Sequence, residues 1–146
     1  MDQVSDRPLD NGKDRVPLPP AILLVEDSEE NRLVIRAFLR GSGCRVEIAD
    51  HGAEAVEKFK KDSFAVVLMD LQMPVMDGNE ATRQIRAWEA VHGNGSRTPI
   101  VVLTAHSSGG ELQQCLDNGC DLFLTKPIRK QILLDAIQPW IGGGAR

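Results

Sequence analysis

Several features are scarce or missing in this chain of 146 residues, and each absence argues against a class of function. No apolar run approaches the roughly 18 residues that a membrane-spanning helix needs. Residues 1–20 contain no apolar stretch resembling a secretory signal. The net charge is −4, which disfavours a broad basic surface for nucleic acid. We therefore expect a cytoplasmic location, no membrane contact and no nucleic-acid partner.

Cysteine is scarce as well. The three cysteines, Cys44, Cys115 and Cys120, are odd in number and lack the spacing of a zinc site. This pattern is typical of reduced thiols that fill small spaces in the core of a cytoplasmic protein.

Composition indicates one folded domain between two flexible ends. Residues 1–20 are polar and rich in proline and aspartate, which predicts a flexible leader or an interdomain linker. Residues 142–146, "GGGAR", predict a flexible tail. Between them, 21–141 alternates apolar runs with helical periods and shows no internal repeat. A chain of this length suits one domain with a real core.

Five apolar runs predict the strands of a parallel sheet. The continuous runs rich in Val, Ile and Leu are typical of strands that helices cover on both faces. One run, "RVEIA", alternates polar and apolar residues, which predicts a half-exposed edge strand. The five runs are "AILLV" (21–25), "RVEIA" (45–49), "AVVLM" (65–69), "IVVL" (100–103) and "LFL" (122–124).

Helical periods fill the gaps between these runs. The first helix is predicted to begin after a Ser28 cap, and Pro139 is expected to end or distort the fifth. Glycines 109 and 110 should weaken the fourth. The apolar stripes expected to face the core are Val34, Ala37, Phe38 and Gly41; Ala55, Val56 and Phe59; Ala81, Ile85 and Trp88; Leu112, Cys115 and Leu116; and Leu133, Ala136, Ile137 and Trp140.

Five βα units with right-handed crossovers predict an α/β fold with a doubly wound parallel sheet. Ligands of such sheets sit beyond the carboxyl ends of the strands. The first strand ends at Glu26 and Asp27, the third at Asp70, the fourth at Thr104 and the fifth near Lys126. The chemically capable residues are therefore predicted to collect at one edge.

Three carboxylates at one edge repel one another unless they take up protons or bind a cation. Oxygen ligands without His or Cys favour Mg²⁺. Mg²⁺ beside carboxylates, a lysine and a threonine hydroxyl is suited to phosphoryl transfer. No Walker loop or dinucleotide fingerprint occurs, so the phosphoryl group must come from another donor, and a carboxylate is a candidate acceptor. Asp50 follows the edge strand and is interpreted as a turn or cap residue.

Four motifs along 21–141, "LLVEDS", "LMDLQMPVMDG", "VVLTAHS" and "FLTKPI", resemble the receiver domain of response regulators in bacterial two-component systems. The resemblance is to chemotaxis-regulator-like receivers, and most of all to those of hybrid sensor histidine kinases. It implies a flavodoxin-like sheet of five strands in the order 2-1-3-4-5 with five flanking helices. It also implies a switch that promotes only its own phosphorylation and dephosphorylation and is not otherwise an enzyme.

The resemblance implies a role for each matching residue. Asp70 would accept a phosphoryl group from a partner's phosphohistidine. Asp27, Asp70 and the backbone carbonyl of Gln72 would bind Mg²⁺ directly, and Glu26 would act through metal-bound water. Lys126 would pair with Asp70 and later with a phosphoryl oxygen. Thr104 would contact the phosphoryl group and carry the switch.

Three further residues follow from the same resemblance. Phe123 would be the switch aromatic, although many relatives have Tyr there and Phe cannot make the hydroxyl's hydrogen bond. Pro127 would follow a cis peptide bond that directs Lys126. His106 is either a solvated loop residue or, together with Gln72, a residue that tunes water access to the acyl phosphate.

The implied partners are a histidine kinase or a histidine phosphotransfer domain, and a downstream protein target that binds the fourth and fifth helices. Two alternative functions remain. One is a Mg²⁺-dependent phosphatase with an Asp nucleophile, although such enzymes usually need an acid two residues later, where this chain has Gln72. The other is a degenerate receiver that serves only as a docking module. The sequence fits both a stand-alone regulator and a receiver taken from a hybrid kinase.

Overall fold

A five-stranded parallel sheet forms the centre of the structure, a computed structural model that describes residues 19–73, 75–93, 95–105 and 109–141. The spatial order of the strands is β2-β1-β3-β4-β5, and each neighbouring pair is parallel. This confirms the predicted doubly wound α/β fold. The strands are β1 (Ala21–Val25), β2 (Arg45–Ala49), β3 (Val66–Asp70), β4 (Ile100–Thr104) and β5 (Leu122–Thr125).

Five helices cover the two faces of the sheet. Along each central strand, alternate side chains point to opposite faces, which divides the core into two clusters. One cluster packs beneath α2, α3 and α4, and the other beneath α1 and α5. The helices are α1 (Glu29–Leu39), α2 (Gly52–Lys61), α3 (Gly78–His92), α4 (Gly109–Asp117) and α5 (Lys130–Ile141).

Local capping sets where two of these helices begin. The Ser28 hydroxyl accepts the Asn31 N–H at 3.3 Å, so α1 starts directly after the β1 loop, as predicted. The Asp77 carboxylate accepts the Glu80 N–H at 3.0 Å and starts α3. Both caps lie beside the carboxyl ends of strands, so they fix the loops that carry functional side chains.

Several details of the helical stripes differ from the prediction. In α1 the buried residues are Ile35 and Leu39, whereas Val34 is 48% exposed. The buried face of α1 is therefore rotated by one residue from the predicted stripe. In α4, Cys115 is buried but Leu112 and Leu116 are exposed. This helix presents an apolar outer face instead of burying it.

Pro139 lies inside α5 and does not end it, because the helix continues to Ile141. It sits in the last turn and is exposed, where the loss of one backbone hydrogen bond can be tolerated. None of the helices described here has the length and apolar character required to span a bilayer.

Candidate functional site

The carboxyl ends of four adjacent strands bring the predicted site residues to one edge of the sheet. Asp70 is the last residue of β3, and Thr104 is the last residue of β4. Glu26 and Asp27 follow β1, which is the neighbour of β3 on its other side. Lys126 follows β5 and donates its backbone N–H to the Thr104 carbonyl at 2.7 Å. The register of the sheet alone therefore places these side chains around one crevice.

Three carboxylates meet in this crevice. Glu26, Asp27 and Asp70 each offer one oxygen, and these oxygens all lie within 4.8 Å of one another. Glu26 and Asp70 are 1% and 4% exposed, whereas Asp27 is exposed to solvent. Two buried acids next to a third are unfavourable unless a cation balances them. The set fits Mg²⁺, which prefers oxygen ligands and is often bound through few carboxylates.

Lys126 supplies one cation to this cluster. Its Nζ lies 3.0 Å from Asp70 Oδ1 and 3.4 Å from Glu26 Oε1. The side chain is 22% exposed, so the stem packs in the protein while the ammonium reaches the acids. The peptide bond between Lys126 and Pro127 is cis. One ammonium cannot neutralise three carboxylates, and the crevice keeps a net negative charge when all three are ionised.

Burial and pairing shift two pKa values in the cluster. Burial raises the pKa of Asp70, and the nearby charges of Glu26 and Asp27 add to the increase, while the bond to Lys126 opposes it. Burial lowers the pKa of Lys126, but Asp70 and Glu26 together outweigh it, so the net pKa is raised. Asp70 is therefore an acid whose negative charge is costly in the folded protein, and a bound cation would reduce that cost.

Glycine is required in the turn that follows Asp70. A Cβ on Gly78 would lie 2.6 Å from the Asp70 carbonyl oxygen, too close for any side chain. The Gly78 N–H donates to the Leu71 carbonyl at 2.9 Å, so the chain folds back against the end of β3. Val75 in this turn has a φ of 71°, which is rare for a β-branched residue. The turn therefore holds a tight and strained shape beside the crevice.

The remaining predicted residues occupy several places. Gln72 is exposed two residues after Asp70, and Thr104 is fully buried at the end of β4. Phe123 is half-buried in β5 and packs against the cluster beneath α2, α3 and α4. His106 lies outside the described residues.

Two residues that sequence analysis did not assign to the site, Asn31 and Arg32, hold Glu26 in place. Asn31 Nδ2 donates to Glu26 Oε2 at 3.3 Å, and Arg32 Nε donates to the Glu26 carbonyl at 2.8 Å. Arg32 also pairs with Asp50 at 2.6 Å. Asp50 lies before α2 but is not its cap, because His51 accepts the Glu54 N–H. The sequence signal that could have identified Asn31 and Arg32 is their position: they are two polar residues in the first turn of a helix that starts shortly after Glu26.

Comparisons with known proteins agree with this geometry. The family model described as response regulator receiver domain matches residues 22–138. The sensor protein GacS of Pseudomonas syringae is 42% identical over 123 residues, which cover 84% of this chain and 14% of that protein. This chain thus corresponds to about one seventh of the length of that relative.

Solved structures are similar over most of the chain. The receiver domain of a sensor histidine kinase from Pseudomonas aeruginosa, with a magnesium ion coordinated in its active-site cleft, has a TM-score of 0.75 and 41% identity. The match covers 86% of this chain and 99% of that one. The complex of the Saccharomyces cerevisiae phosphotransfer protein Ypd1 with the receiver domain of Ssk1 gives a TM-score of 0.78 at 34% identity, covering 90% of this chain and 95% of the matched chain.

Proposed function

Because the chain belongs to the response regulator receiver domain family, a module of two-component signalling, we propose that Asp70 accepts a phosphoryl group from a partner's phosphohistidine. The observation that carries this proposal is the position of Asp70. Its carboxylate ends a central strand, is 4% exposed, and lies among two other acids and one lysine. A family member built this way is a conformational switch, and its own chemistry is limited to gaining and losing the phosphoryl group.

Mg²⁺ is the proposed cofactor. Asp27, Asp70 and the Gln72 carbonyl would hold it directly, and Glu26 would hold it through water. When bound, the ion offsets the carboxylate charges and the negative charge of the phosphoryl oxygens. The similar receiver from P. aeruginosa carries magnesium in its cleft, and the clustered acids of this chain fit the same ion.

The chain's own residues account for the rest of the chemistry. An Asp70 oxygen attacks phosphorus while the bond from phosphorus to the imidazole nitrogen breaks, and the imidazole, which carries a proton on its other ring nitrogen, leaves as the neutral base. The Lys126 ammonium, now 3.0 Å from Asp70, is placed to donate to a phosphoryl oxygen. The Thr104 hydroxyl ends the adjacent strand and would donate to another. Phe123 would move with Thr104.

The proposed donor is a histidine kinase or a histidine phosphotransfer domain that docks beside the crevice. A recess of about 480 Å³ opens there, lined mainly by apolar groups that include Val34, Ala105, Pro127 and Ile128. Lys126 also lines this recess, so a partner bound in it reaches the acid cluster. Ypd1 in the yeast complex is a phosphotransfer protein bound to a receiver domain, which supports a partner of this class.

The proposed output surface consists of α4 and α5. Leu112 and Leu116 on α4 are 45% and 43% exposed, and Ile132 on α5 is 51% exposed. Exposed apolar side chains on these two helices, which cover opposite faces of the sheet beside its edge strand β5, suit a downstream protein target. Since the known relatives are much longer, we propose that this module acts within or beside a hybrid histidine kinase.

The phosphatase alternative is not favoured by the site. Two residues after Asp70 the chain has the exposed amide of Gln72, which cannot donate and accept a proton as a carboxyl group does. The docking-only alternative is also not favoured, because Glu26, Asp27, Asp70, Thr104 and Lys126 are all present at one edge.

A phosphorylation assay tests the proposed function. The protein is treated with acetyl phosphate and Mg²⁺, and the modified residue is trapped and mapped by mass spectrometry. One phosphoryl group on Asp70 is expected, and none in Asp70→Asn. Asp77→Asn, which changes a nearby exposed acid, serves as the control and should be labelled like the wild type. A label that persists in Asp70→Asn would refute the assignment.

A further inference from the structure

Glu26 is fixed at both its backbone and its side chain. Its N–H donates to the Ala49 carbonyl at 3.1 Å, and its own carbonyl accepts Arg32 Nε at 2.8 Å. Its Oε2 accepts the Ser28 N–H at 3.2 Å and Asn31 Nδ2 at 3.3 Å. The other oxygen, Oε1, lies on the side of Lys126. The residue therefore has one carboxylate oxygen bonded to the start of α1 and one directed toward Lys126, which also pairs with Asp70.

Arg32 also joins two loops. While its Nε bonds to Glu26, one of its terminal nitrogens lies 2.6 Å from Asp50 Oδ1. Asp50 is itself anchored, because its N–H donates to Glu54 Oε1 at 2.7 Å. The guanidinium thus bridges the ends of β1 and β2 with the planar fork that lysine lacks.

We propose that Asn31 and Arg32 are positioning residues for the acid cluster, which hold Glu26 with a single oxygen facing Asp27 and Asp70. The inference rests on the proposed function, since positioning matters only if the cluster binds a cation. Mutually repelling carboxylates separate unless the protein restrains them. With the restraint built into the first turns of α1, the ion does not have to gather its own ligands, so binding is stronger.

The sign of the effect separates positioning from simple electrostatics. Arg32 is a cation close to an acid cluster, and its charge alone opposes the approach of Mg²⁺. If Arg32 acted only through its charge, its removal would strengthen Mg²⁺ binding. If Arg32 positions Glu26, its removal weakens binding in spite of the favourable change in charge. Asn31 is neutral, and replacing it by leucine changes no charge at all.

Mg²⁺ titrations of Arg32→Met and Asn31→Leu, followed by backbone amide NMR shifts, test the proposal. Each variant is expected to bind Mg²⁺ about tenfold more weakly than the wild type, as is typical when a partner of a metal ligand is removed. Arg36→Met is the matched control, because Arg36 is an exposed arginine in the last turn of the same helix. It should bind Mg²⁺ like the wild type or slightly more tightly.

A readout without metal accompanies the titrations. In the presence of a chelator, the Ser28 amide should exchange its hydrogen faster in Asn31→Leu than in the wild type or Arg36→Met, since the Glu26 carboxylate that it bonds becomes mobile. Urea unfolding of all four proteins shows whether the fold is intact. If Arg32→Met does not fold, Asn31→Leu alone decides the question.

Wild-type affinity for Mg²⁺ in both Arg32→Met and Asn31→Leu, or tighter binding in Arg32→Met with no loss in Asn31→Leu, would overturn the positioning role. Failure of the wild type itself to bind Mg²⁺ is a different outcome, which would refute the cofactor in the proposed function. In that case the exchange of the Ser28 amide still tests whether Asn31 holds Glu26.

Discussion

At the scale of single residues, the crevice is an arrangement that the protein stabilises poorly on its own. Asp70 and Glu26 are both buried, and one lysine serves both. The raised pKa of Asp70 means that the folded protein holds the Asp70 proton more tightly than the unfolded chain does. Ionised Asp70 consequently lowers the free energy of unfolding, a cost that a bound cation or a phosphoryl group with Mg²⁺ can offset.

Asp70→Asn should therefore stabilise the metal-free protein at pH 7, by about 1 kcal/mol or more, since removing a poorly compensated buried charge is often stabilising. Because the folded pKa is raised, the cost of ionised Asp70 is fully present at a pH above that pKa. It disappears as the pH falls below about 4, where the carboxyl is protonated in both states. Urea unfolding with a chelator, followed by the fluorescence of Trp88 and Trp140, measures this at pH 7 and below pH 4.

Asp135→Asn provides the control for this comparison, because Asp135 is an exposed acid on α5 and is not a member of the acid cluster. It should leave the free energy of unfolding nearly unchanged at either pH. If Asp70→Asn were less stable than the wild type at pH 7, ionised Asp70 would be a net stabilising partner of Lys126, and our account of the cluster's charge would be wrong.

The residues of the crevice were predictable from the sequence to different degrees. Glu26, Asp70 and Lys126 follow apolar runs, and parallel strands place their carboxyl ends together, so their convergence could be predicted from order alone. Asn31 and Arg32 could not be assigned in this way. Their roles depend on side-chain rotamers and on where α1 begins, and a polar residue in the first turn of a helix is most often only solvated.

At the scale of elements, the α1 stripe shows where periodicity fails. The prediction placed Val34, Ala37, Phe38 and Gly41 against the core, whereas Ile35 and Leu39 are buried and the neighbouring face with Leu33 and Val34 is exposed. Packing against β1 and α5 decides between them, and that information is not local. The exposed set is not a defect, since Val34 lines the recess proposed for the phosphotransfer partner.

Helix α4 offers a test with two glycines. Gly110 lies near its start, is exposed, and has open space where a Cβ would go. Gly110→Ala should stabilise α4 by up to about 1 kcal/mol, because alanine loses less backbone entropy than glycine. Hydrogen exchange of the α4 amides is the local readout, and slower exchange is expected there without a change in α1.

Gly119→Ala is the opposite member of the pair. Gly119 ends α4 with a φ of +108°, and its N–H and that of Cys120 bond back to carbonyls of the last turn. An added Cβ would lie 2.8 Å from Arg86 Cγ. This variant should lose about 1 to 2 kcal/mol through backbone strain and crowding. If Gly110→Ala and Gly119→Ala changed the free energy of unfolding by the same amount, the stability of α4 would not depend on the backbone conformation at its two ends.

At the scale of the whole molecule, the topology connects the crevice along the chain to the helices of the proposed output surface. Lys126 links the acid cluster to the loop that leads from β5 into α5, and its N–H is bonded to Thr104 at the end of β4. Thr104 in turn precedes the loop into α4. The two helices of the proposed output surface thus follow Thr104 and Lys126 in the chain, and both residues lie at the sheet edge that carries the acid cluster. The strand order was predictable from the motifs, whereas this linkage required the register of β4 and β5.

Lys126→Met should fold and bind Mg²⁺ at least as tightly as the wild type, because one competing cation is gone, but it should not transmit the switch. A hydrogen bond from an ammonium to a charged oxygen contributes about 1.5 to 3 kcal/mol. Lys126 would make it to a phosphoryl oxygen only in the activated form, so its loss should lower the ratio of active to inactive conformers about tenfold or more. Beryllofluoride with Mg²⁺, which mimics the acyl phosphate, should therefore shift the NMR signals of Thr104, Phe123 and α4 far less in Lys126→Met than in the wild type.

Lys130→Met, the same change at an exposed lysine, should respond like the wild type. A full response in Lys126→Met would mean that the phosphoryl group reaches the output helices through Thr104 alone, and that the contacts of Lys126 with Asp70 and Glu26 serve only the resting state.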